Sequence, residues 1–363
     1  MDSLQARTIT VVQLVMLVYT AAGVMDHVII IPLLLRAAQR DAWVSVLITG
    51  AVLLTGALVL SAVCRNTAQM HLGQWLRQHV HPFIWYPLLS IIVLQLFVMS
   101  AITLRDTCFW AKTMYLPETP LVATVLVFAT GCYFAARSGL VTIAISNGIL
   151  LPIIVALGIF VALGNLPNKN YLYLRPVLEH GLPPVMHGVL FTGAAFSEVI
   201  LVLFLQPFVR SKIRWYVLVI IAVGLIGLTI GPLIGAITEF GPYEAARQRY
   251  SPYEEWRLLT FKHFIEHVDF LSIYQWLAGA FIRISLAMFL LAEMFQPRSP
   301  KQRNWILSIA FAAAFVVAIY PISDETFSGL VSNLYLPISL ICMVGLLLIL
   351  FVLSWSFRVR GAR

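Results

Sequence analysis

Long apolar runs recur from one end of the sequence to the other. Most reach about 20 residues or more, the length that an α-helix needs to cross the roughly 30 Å hydrocarbon core of a bilayer. Hydrophobic residues make up 60% of the 363 residues and charged residues only 11%, against about 45–50% and ~25% in ordinary soluble domains. A chain this apolar cannot cover itself with polar surface in water. Soluble, disordered and disulfide-rich secreted proteins are therefore excluded.

The runs predict an all-α integral membrane protein with a single transmembrane domain over residues 1–363. They are far longer than the roughly 9–11 residues of a membrane β-strand, and they show no sustained alternation of polar and apolar residues. The predicted crossings are numbered span 1 to span 10: 10–35, 42–63, 82–112, 119–136, 139–163, 186–208, 215–238, 269–295, 304–321 and 334–356.

Lys and Arg residues are concentrated in alternate connections, on the side of the membrane that also holds the N-terminus. Arg210, Lys212 and Arg214 lie between spans 6 and 7, and Arg358 and Arg360 follow span 10. Because positively charged connections stay in the cytoplasm, both termini are predicted to be cytoplasmic. The net charge of +8 follows largely from this asymmetry. The expected surroundings are a lipid bilayer, and no nucleic-acid partner is expected.

Two spans contain clusters of small residues that predict interruptions of the helix. Residues 20–23 lie halfway along span 1, and residues 192–195 lie along span 6, five spans later. This interval predicts two five-helix repeats of inverted topology, about residues 10–163 and 186–356. Free N–H and C=O groups at such interruptions suit the two charges of an α-amino acid. The alternative is that the small residues only allow neighbouring helices to pack closely.

Ionisable residues lie within the spans, where each charge costs roughly 2.5–3.5 kcal/mol and normally finds a partner. Asp26 and His27 follow the small residues of span 1, and Glu198 follows those of span 6. Arg283 lies at a similar depth in span 8. We predict an ion pair between Glu198 and Arg283, which either contributes to a ligand site or is purely structural.

Two further features indicate contact surfaces rather than binding or catalytic residues. Gly227, Gly231 and Gly235 recur every fourth residue in span 7, a ridge that predicts close approach of a neighbouring backbone, within the chain or from a partner. The polar outer connection, residues 239–268, is too long for a simple turn. It is expected to form a lid, a docking surface or a helix that lies on the membrane surface.

Sequence motifs for catalysis or metal binding do not occur. The chain has no glycine-rich phosphate loop, no HExxH, no GxSxG and no CxxC pair, which are the patterns that common catalytic and metal sites need. The four cysteines lie in different helices without metal-ligand spacing. We therefore expect no catalytic residues, no cofactor and no metal ion.

The most specific motifs surround span 8. They read FGPYEA at residues 240–245, IEHVDFLSIYQW at residues 265–276 and FIRIS at residues 281–285. Supporting matches are Gln13, Gly23 and Pro32 in span 1, Asp41-Ala42-Trp43 at the start of span 2, and Phe196-Ser197-Glu198 in span 6. On these residues the chain resembles the spore-germination receptor B-subunit family (GerAB/GerKB type), in order and in helix count along essentially its whole length.

The resemblance implies a fold, a location and partners. The family is similar to amino-acid permeases of the APC superfamily, so a five-plus-five inverted-repeat (LeuT/APC-type) bundle with broken spans 1 and 6 is expected. Its members are nutrient sensors of the spore inner membrane that work with an A subunit and a C-subunit lipoprotein. The ligand-binding residues expected on this basis are Gly23, Val24, Asp26, Val98, Ile102, Gly193, Ala195, Glu198 and Arg283.

One position departs from the family pattern. The first interruption is usually small and uncharged, whereas Asp26 and His27 follow it here. Either the ligand differs from a simple neutral amino acid, or these two residues serve gating.

Three functions remain open at the level of the sequence. The first is a receptor subunit that binds a small nutrient, plausibly an amino acid, in mid-membrane and signals germination through partner subunits. The second is a secondary transporter of the same ligand, coupled to H⁺ or Na⁺, with Asp26, His27 or Glu198 as the proton carrier. A scaffold without a ligand is the third, and the buried charges argue against it.

Overall fold

The computed structural model describes residues 8–259 and 268–361, which are helical apart from short connections. Within these two stretches, the sole strand-like pairing is one β-bridge between Ile9 and Val209. The ten spans follow one another in the predicted order: 11–38, Ala42–Asn66, Pro82–Met114, Leu121–Ser138, Leu140–Gly164, Leu182–Phe208, Trp215–Phe240, Leu271–Met294, Pro300–Ile319 and Asp324–Phe357.

Spans 1 and 2 form one apolar stretch of 56 residues, within which the chain reverses at Gln39, in left-handed backbone with a φ of 44°. Span 1 begins beside the end of span 6, where Ile9 pairs with Val209. Span 2 begins beside the start of span 6, where Ser45 donates to the carbonyl of Val185 at 2.8 Å. Spans 1 and 6 are thus antiparallel, as inverted repeats require. We call the side that holds Ile9 the first face and the side that holds Gln39 the second face.

Spans 1 and 6 both lose regular α-helical geometry near the middle of their length. Span 1 changes to a π-helix over Met25–Ile29, and span 6 changes to a 3-10 helix over Ser197–Ile200. The small residues 20–23 and 192–195 are themselves α-helical, and the changes begin shortly after them. The interruptions are changes of hydrogen-bond pattern rather than unwound segments, which limits how many backbone groups are left without partners inside the bundle.

Span 10 begins at Asp324 rather than at residue 334, so the predicted start was wrong. Ser323 caps the helix, because its hydroxyl accepts the N–H of Thr326 at 3.1 Å. Asp324 and Glu325 occupy the first turn, where negative charge suits the positive end of the helix dipole. A search for apolar runs misses a first turn of this kind because capping residues are polar.

The outer connection, residues 239–268, lies against the bundle at the second face as two short helices, Pro242–Arg247 and Ser251–Arg257. Tyr253 and Trp256 of the second helix are buried. The described part of this connection is therefore a helical layer packed on the spans. Residues 260–267 lie outside the described residues.

A partly buried ionic network fastens this layer to the bundle. Arg249, between the two short helices, contacts Asp106 of span 3 at 2.8 Å and Asp324 of span 10 at 2.7 Å. Burial lowers the pKa of Arg249, but the two carboxylates raise it more, so the pKa lies above its ordinary value. The side chain therefore stays charged and joins the connection to two spans.

Candidate functional site

The predicted ion pair between Glu198 and Arg283 is present at the centre of the bundle. Both terminal nitrogens of the Arg283 guanidinium donate to the carboxylate of Glu198, at 2.5 Å and 2.6 Å. The side chains of Arg283 and Glu198 are 0% and 4% exposed. A third bond runs from Nε of Arg283 to Thr103 of span 3 at 2.9 Å. Bidentate pairs with further hydrogen bonds are the strong class of buried ion pairs.

Span 1 completes this centre through its change of helical pattern. The N–H of Met25 donates to the carbonyl of Ala22, whereas in a regular α-helix it would donate to the carbonyl of Ala21, four residues earlier. The carbonyl of Ala21 accepts a hydrogen bond from Arg283. The backbone oxygen that the interruption was predicted to offer to a ligand is therefore used by a side chain of the protein.

Asp26 lies beside this pair within the π-helix of span 1. Its side chain is fully buried, and neither carboxylate oxygen has a hydrogen-bond partner among the described residues. It interacts electrostatically with Glu198 and Arg283. The centre thus combines two carboxyl groups with one guanidinium. His27, the next residue, instead contacts the carbonyl of Leu228 in span 7 at 3.1 Å.

A cavity of about 580 Å³ lies on the other side of span 1. Its walls come from spans 1, 5, 7 and 8 and from the Ser251–Arg257 helix, and its lining includes Gly23, Val24, Gly227, Gly231, Trp256 and Trp276. Most of this lining is apolar, as in typical small-molecule pockets. We call this space the apolar cavity.

The glycine ridge of span 7 forms one wall of the apolar cavity rather than a close helix contact. A Cβ placed on Gly227 or Gly231 would meet no atom within 4 Å. The predicted close approach of a backbone from the same chain is therefore wrong for these two residues. At Gly235 the near neighbour is a side chain, since a Cβ there would lie 2.8 Å from the carboxylate of Glu255. Small residues here leave space open because no neighbouring helix fills it.

The expected ligand-binding residues are divided by span 1 into two groups. Gly23 and Val24 line the apolar cavity. The others are not among its lining residues: Asp26, Glu198 and Arg283 form the ionic centre, Gly193 lies next to Leu340 of span 10, Ala195 and Ile102 are buried in the core, and Val98 packs against it.

The polar end of the apolar cavity was missed at the level of the sequence. It is formed by Lys169, from the connection after span 5, and Glu255, from the Ser251–Arg257 helix. Glu239, at the end of span 7, contacts Lys169 at 3.5 Å. These residues are far apart in the chain and each looks like an ordinary polar residue of a connection or helix end, so no sequence pattern marks them as a group.

Among the described residues, no group of three His, Cys, Asp or Glu side chains is placed to hold a metal ion. The four cysteines are free, and three of them, Cys64, Cys108 and Cys132, are buried.

Among the described residues, nine helical stretches are long and apolar enough to cross a membrane, and the first of them comprises spans 1 and 2. Together with the buried ionic centre they define the class: a multi-pass, all-helical membrane protein. The model of the spore germination protein family, of the spore permease type, matches residues 7–328. The chain belongs to this family and is a germination-related, permease-like membrane protein.

Three curated relatives carry germination names. The chain is 42% identical over 343 residues to spore germination protein XB of Bacillus anthracis, which covers 94% of this chain and 96% of that protein. It is 22% identical over 304 residues to spore germination protein KB of Bacillus subtilis (strain 168), covering 77% and 79% of the two chains. It is 24% identical over 211 residues to spore germination protein YndE of the same strain, covering 57% and 58%.

Proposed function

We propose that the protein is the membrane subunit of a spore germinant receptor. In this proposal it binds a small nutrient, most simply an amino acid, within the membrane and signals germination through an A subunit and a C-subunit lipoprotein. It would lie in the spore inner membrane as two inverted five-span repeats, with both termini and the first face in the cytoplasm. Membership of the spore germination family supports the germination role.

The observation that carries the proposal is the apolar cavity. Its volume of about 580 Å³ falls within the roughly 300–1,000 Å³ of small-molecule pockets. It is bordered by Gly23 and Val24, two of the residues expected to contact a ligand. The cavity is therefore large enough for a small apolar nutrient, which would contact span 1 at Gly23 and Val24.

Span 1 is the element that would pass the signal on. Gly23 and Val24 face the apolar cavity, while Ala21, one turn away, bonds to Arg283 of the ionic centre. At the first face the same segment pairs with the end of span 6. Suppose that span 1 can adopt two placements in the bundle and that the ligand binds one of them more tightly. The ligand would then shift the equilibrium toward that placement, and the ionic centre and the first face would move with span 1.

The second candidate is an ion-coupled transporter of a similar ligand. Asp26 favours it, since this buried carboxyl group has no hydrogen-bond partner among the described residues. Intramembrane carboxyl groups of this kind mark proton and ion pathways. Accumulation of amino acid in proteoliposomes, driven by an H⁺ or Na⁺ gradient and lost in Asp26→Asn, would favour transport over sensing.

Ligand-dependent thermal stabilisation of the purified protein tests the receptor proposal. A nutrient at 100 times its Kd adds about 2.7 kcal/mol to the stability, so a screen of amino acids is expected to raise the melting temperature for one or a few of them. Gly227→Leu is expected to abolish that rise, because the new side chain would fill open space in the cavity.

Gly345→Leu in span 10 is the matched control. A Cβ there also meets nothing within 4 Å, and Gly345 does not line the apolar cavity. The stabilisation is therefore expected to survive in this variant. An undiminished rise in Gly227→Leu would place the nutrient elsewhere.

A further inference from the structure

The polar end of the apolar cavity brings three charged side chains together near the second face. Lys169 and Glu255 line the cavity, and Glu239 lies behind them in contact with Lys169 at 3.5 Å. The side chain of Glu239 is 0% exposed, and Glu255 is 6% exposed. Two buried carboxyl groups thus share one ammonium group, so one of them lacks a counter-charge whenever both are ionised.

Hydrogen bonding shows the same excess of acceptors. Both carboxylate oxygens of Glu239 and Oε1 of Glu255 lack a hydrogen-bond partner among the described residues. Buried polar groups are nearly always satisfied, and each one that is not costs about 1–3 kcal/mol. What this end of the cavity lacks is a cationic hydrogen-bond donor.

The position of Glu255 is held by contacts with neighbouring elements. Asn165, at the end of span 5, donates to the backbone carbonyl of Glu255 at 2.7 Å. The next residue, Trp256, donates from its indole N–H to Gln275 of span 8 at 3.2 Å. The carboxylate rests against Gly235, where any larger residue would collide with it. These contacts hold the carboxylate in place before any ligand arrives, as binding sites require.

We propose that this end of the apolar cavity binds the ammonium group of a small amine ligand whose apolar part extends along the glycine wall of span 7. The proposal rests on the proposed function and specifies its ligand class. From Pro232 to Gly224 the lining follows span 7 for eight residues, a length of about 12 Å at the rise of an α-helix. That is enough for an aliphatic chain of amino-acid size.

The acidity of Glu255 fits this role. Burial and the neighbouring Glu239 raise the pKa of Glu255, and Lys169 lowers it by less. The other titratable groups that line the cavity are Tyr19 and His27 of span 1 and Tyr253 of the Ser251–Arg257 helix. An ammonium ligand favours the ionised form of both carboxyl groups, so its binding releases the proton that the ligand-free pair holds. The affinity for an amine is therefore expected to rise with pH, until the amine itself loses its charge.

The test uses 3-methylbutylamine as the probe, with 3-methylbutanoic acid and 3-methylbutanol as matched compounds of the same carbon skeleton. Thermal stabilisation of the full chain in detergent is measured against the concentration of each compound. The amine alone is expected to stabilise the protein. Glu255→Gln is expected to weaken its apparent affinity by about tenfold or more, the value of one charge-assisted hydrogen bond.

Glu254→Gln supplies the control, since it removes the same charge from the same short helix. Glu254 is paired with Arg257 at 3.0 Å and does not line the cavity, so amine affinity is expected to be unchanged. Gly235→Ala is the second variant. It displaces the Glu255 carboxylate without altering any charge, and it is also expected to weaken the amine.

The outcomes separate this inference from the proposed function. Equal stabilisation by the amine, the acid and the alcohol, or undiminished amine binding in both Glu255→Gln and Gly235→Ala, overturns the ammonium site. The receptor proposal survives that result if amino acids still stabilise the protein in a manner that Gly227→Leu abolishes. Amine binding that requires Glu255, without any response to amino acids, supports the site and leaves the nutrient proposal without support.

Discussion

The Glu198–Arg283 pair and the carboxyl groups at the polar end of the apolar cavity differ in whether their polar atoms are satisfied. Asp26, beside the pair, keeps carboxylate oxygens without a partner among the described residues, as the groups at the cavity end do. At the centre, Glu198 and Arg283 form a bidentate pair, and Arg283 also bonds to Thr103 and Ala21. At the polar end of the apolar cavity, Glu239 and Glu255 share a single lysine and keep free acceptor atoms. The first arrangement resembles a structural joint, and the second resembles a site that is incomplete without a ligand.

The difference matters because burial of charge is costly in either case. A buried pair recovers that cost only when its geometry is good and its remaining donors and acceptors are bonded. The central pair meets this condition through bonds to two spans besides its own, spans 1 and 3, whereas the carboxylates at the cavity end do not. By this measure the Glu198–Arg283 pair is structural, whereas Asp26, Glu239 and Glu255 keep acceptor atoms that are unbonded within the described part of the chain.

The largest effect is expected from Arg283→Gln. This change leaves Glu198 buried without its cation, which in proteins generally costs about 3–5 kcal/mol. A large fall in the melting temperature of the purified protein, or loss of folded protein from the membrane, is the expected result. A variant with the melting temperature of the wild type would show that the Glu198–Arg283 pair does not stabilise the fold.

The double variant Glu198→Gln with Arg283→Gln sharpens that test. Removing both charges avoids an unpaired charge, so the double change is expected to cost less than the sum of the two single changes by about 0.5–3 kcal/mol. The four melting temperatures of the cycle provide the measurement. Simple additivity would mean that the two side chains do not depend on each other.

The opposite sign is expected for Glu255→Gln in the absence of ligand. Glutamine removes a buried acid that has no counter-charge of its own next to Glu239, so the ligand-free protein should gain about 1 kcal/mol of stability, the order of one unsatisfied buried group. Thermal unfolding without amine or amino acid measures this. Destabilisation would identify Glu255 as a structural residue like Glu198.

Melting temperatures measured over a series of pH values test the role of Glu255 in a second way. The pKa of Glu255 is raised by burial and by Glu239, so the folded state holds this proton more tightly than the unfolded state, where the pKa is about 4.3. The contribution to stability is complete below that value and is lost as the pH rises through the raised pKa. The melting temperature of the wild type should therefore fall relative to Glu255→Gln as the pH rises from mildly acidic to mildly alkaline. Parallel curves would contradict the shift.

The smallest effect is expected from Glu254→Gln. Glu254 and Arg257 form an i,i+3 pair with side chains 26% and 58% exposed, and exposed pairs contribute about 0–1 kcal/mol. Its melting temperature should stay close to that of the wild type at every pH. A change as large as that of Glu255→Gln would mean that net charge, rather than the cavity end, controls the response.

Predictions from the sequence succeeded for properties that the residues of a single helix determine. Apolar length located the ten spans, and the cost of an unpaired intramembrane charge predicted the partnership of Glu198 with Arg283. They failed at the start of span 10, where a capping serine and two acids extend the helix. They were also incomplete at spans 1 and 6, where small residues indicated the region of the interruptions but not their kind.

The candidate site shows where such reasoning stops. Gly227 and Gly231 carry the same local pattern as a close-packing ridge, and only the positions of spans 1, 5 and 8 reveal that they border open space. The carbonyl expected to await a ligand is instead bonded to Arg283. Neither fact is encoded in a pattern of neighbouring residues, because both depend on which side chain from another span reaches the same point.

The sequence by itself determined that the chain is an all-helical membrane protein, where its long apolar helices lie, and which charges must find partners within them, since hydrocarbon penalises each polar group locally. The tertiary structure alone decided that Lys169, Glu239 and Glu255 meet at one end of an apolar cavity. Their approach depends on how three separate elements pack at the second face, and packing is a property of surfaces brought together rather than of any one segment.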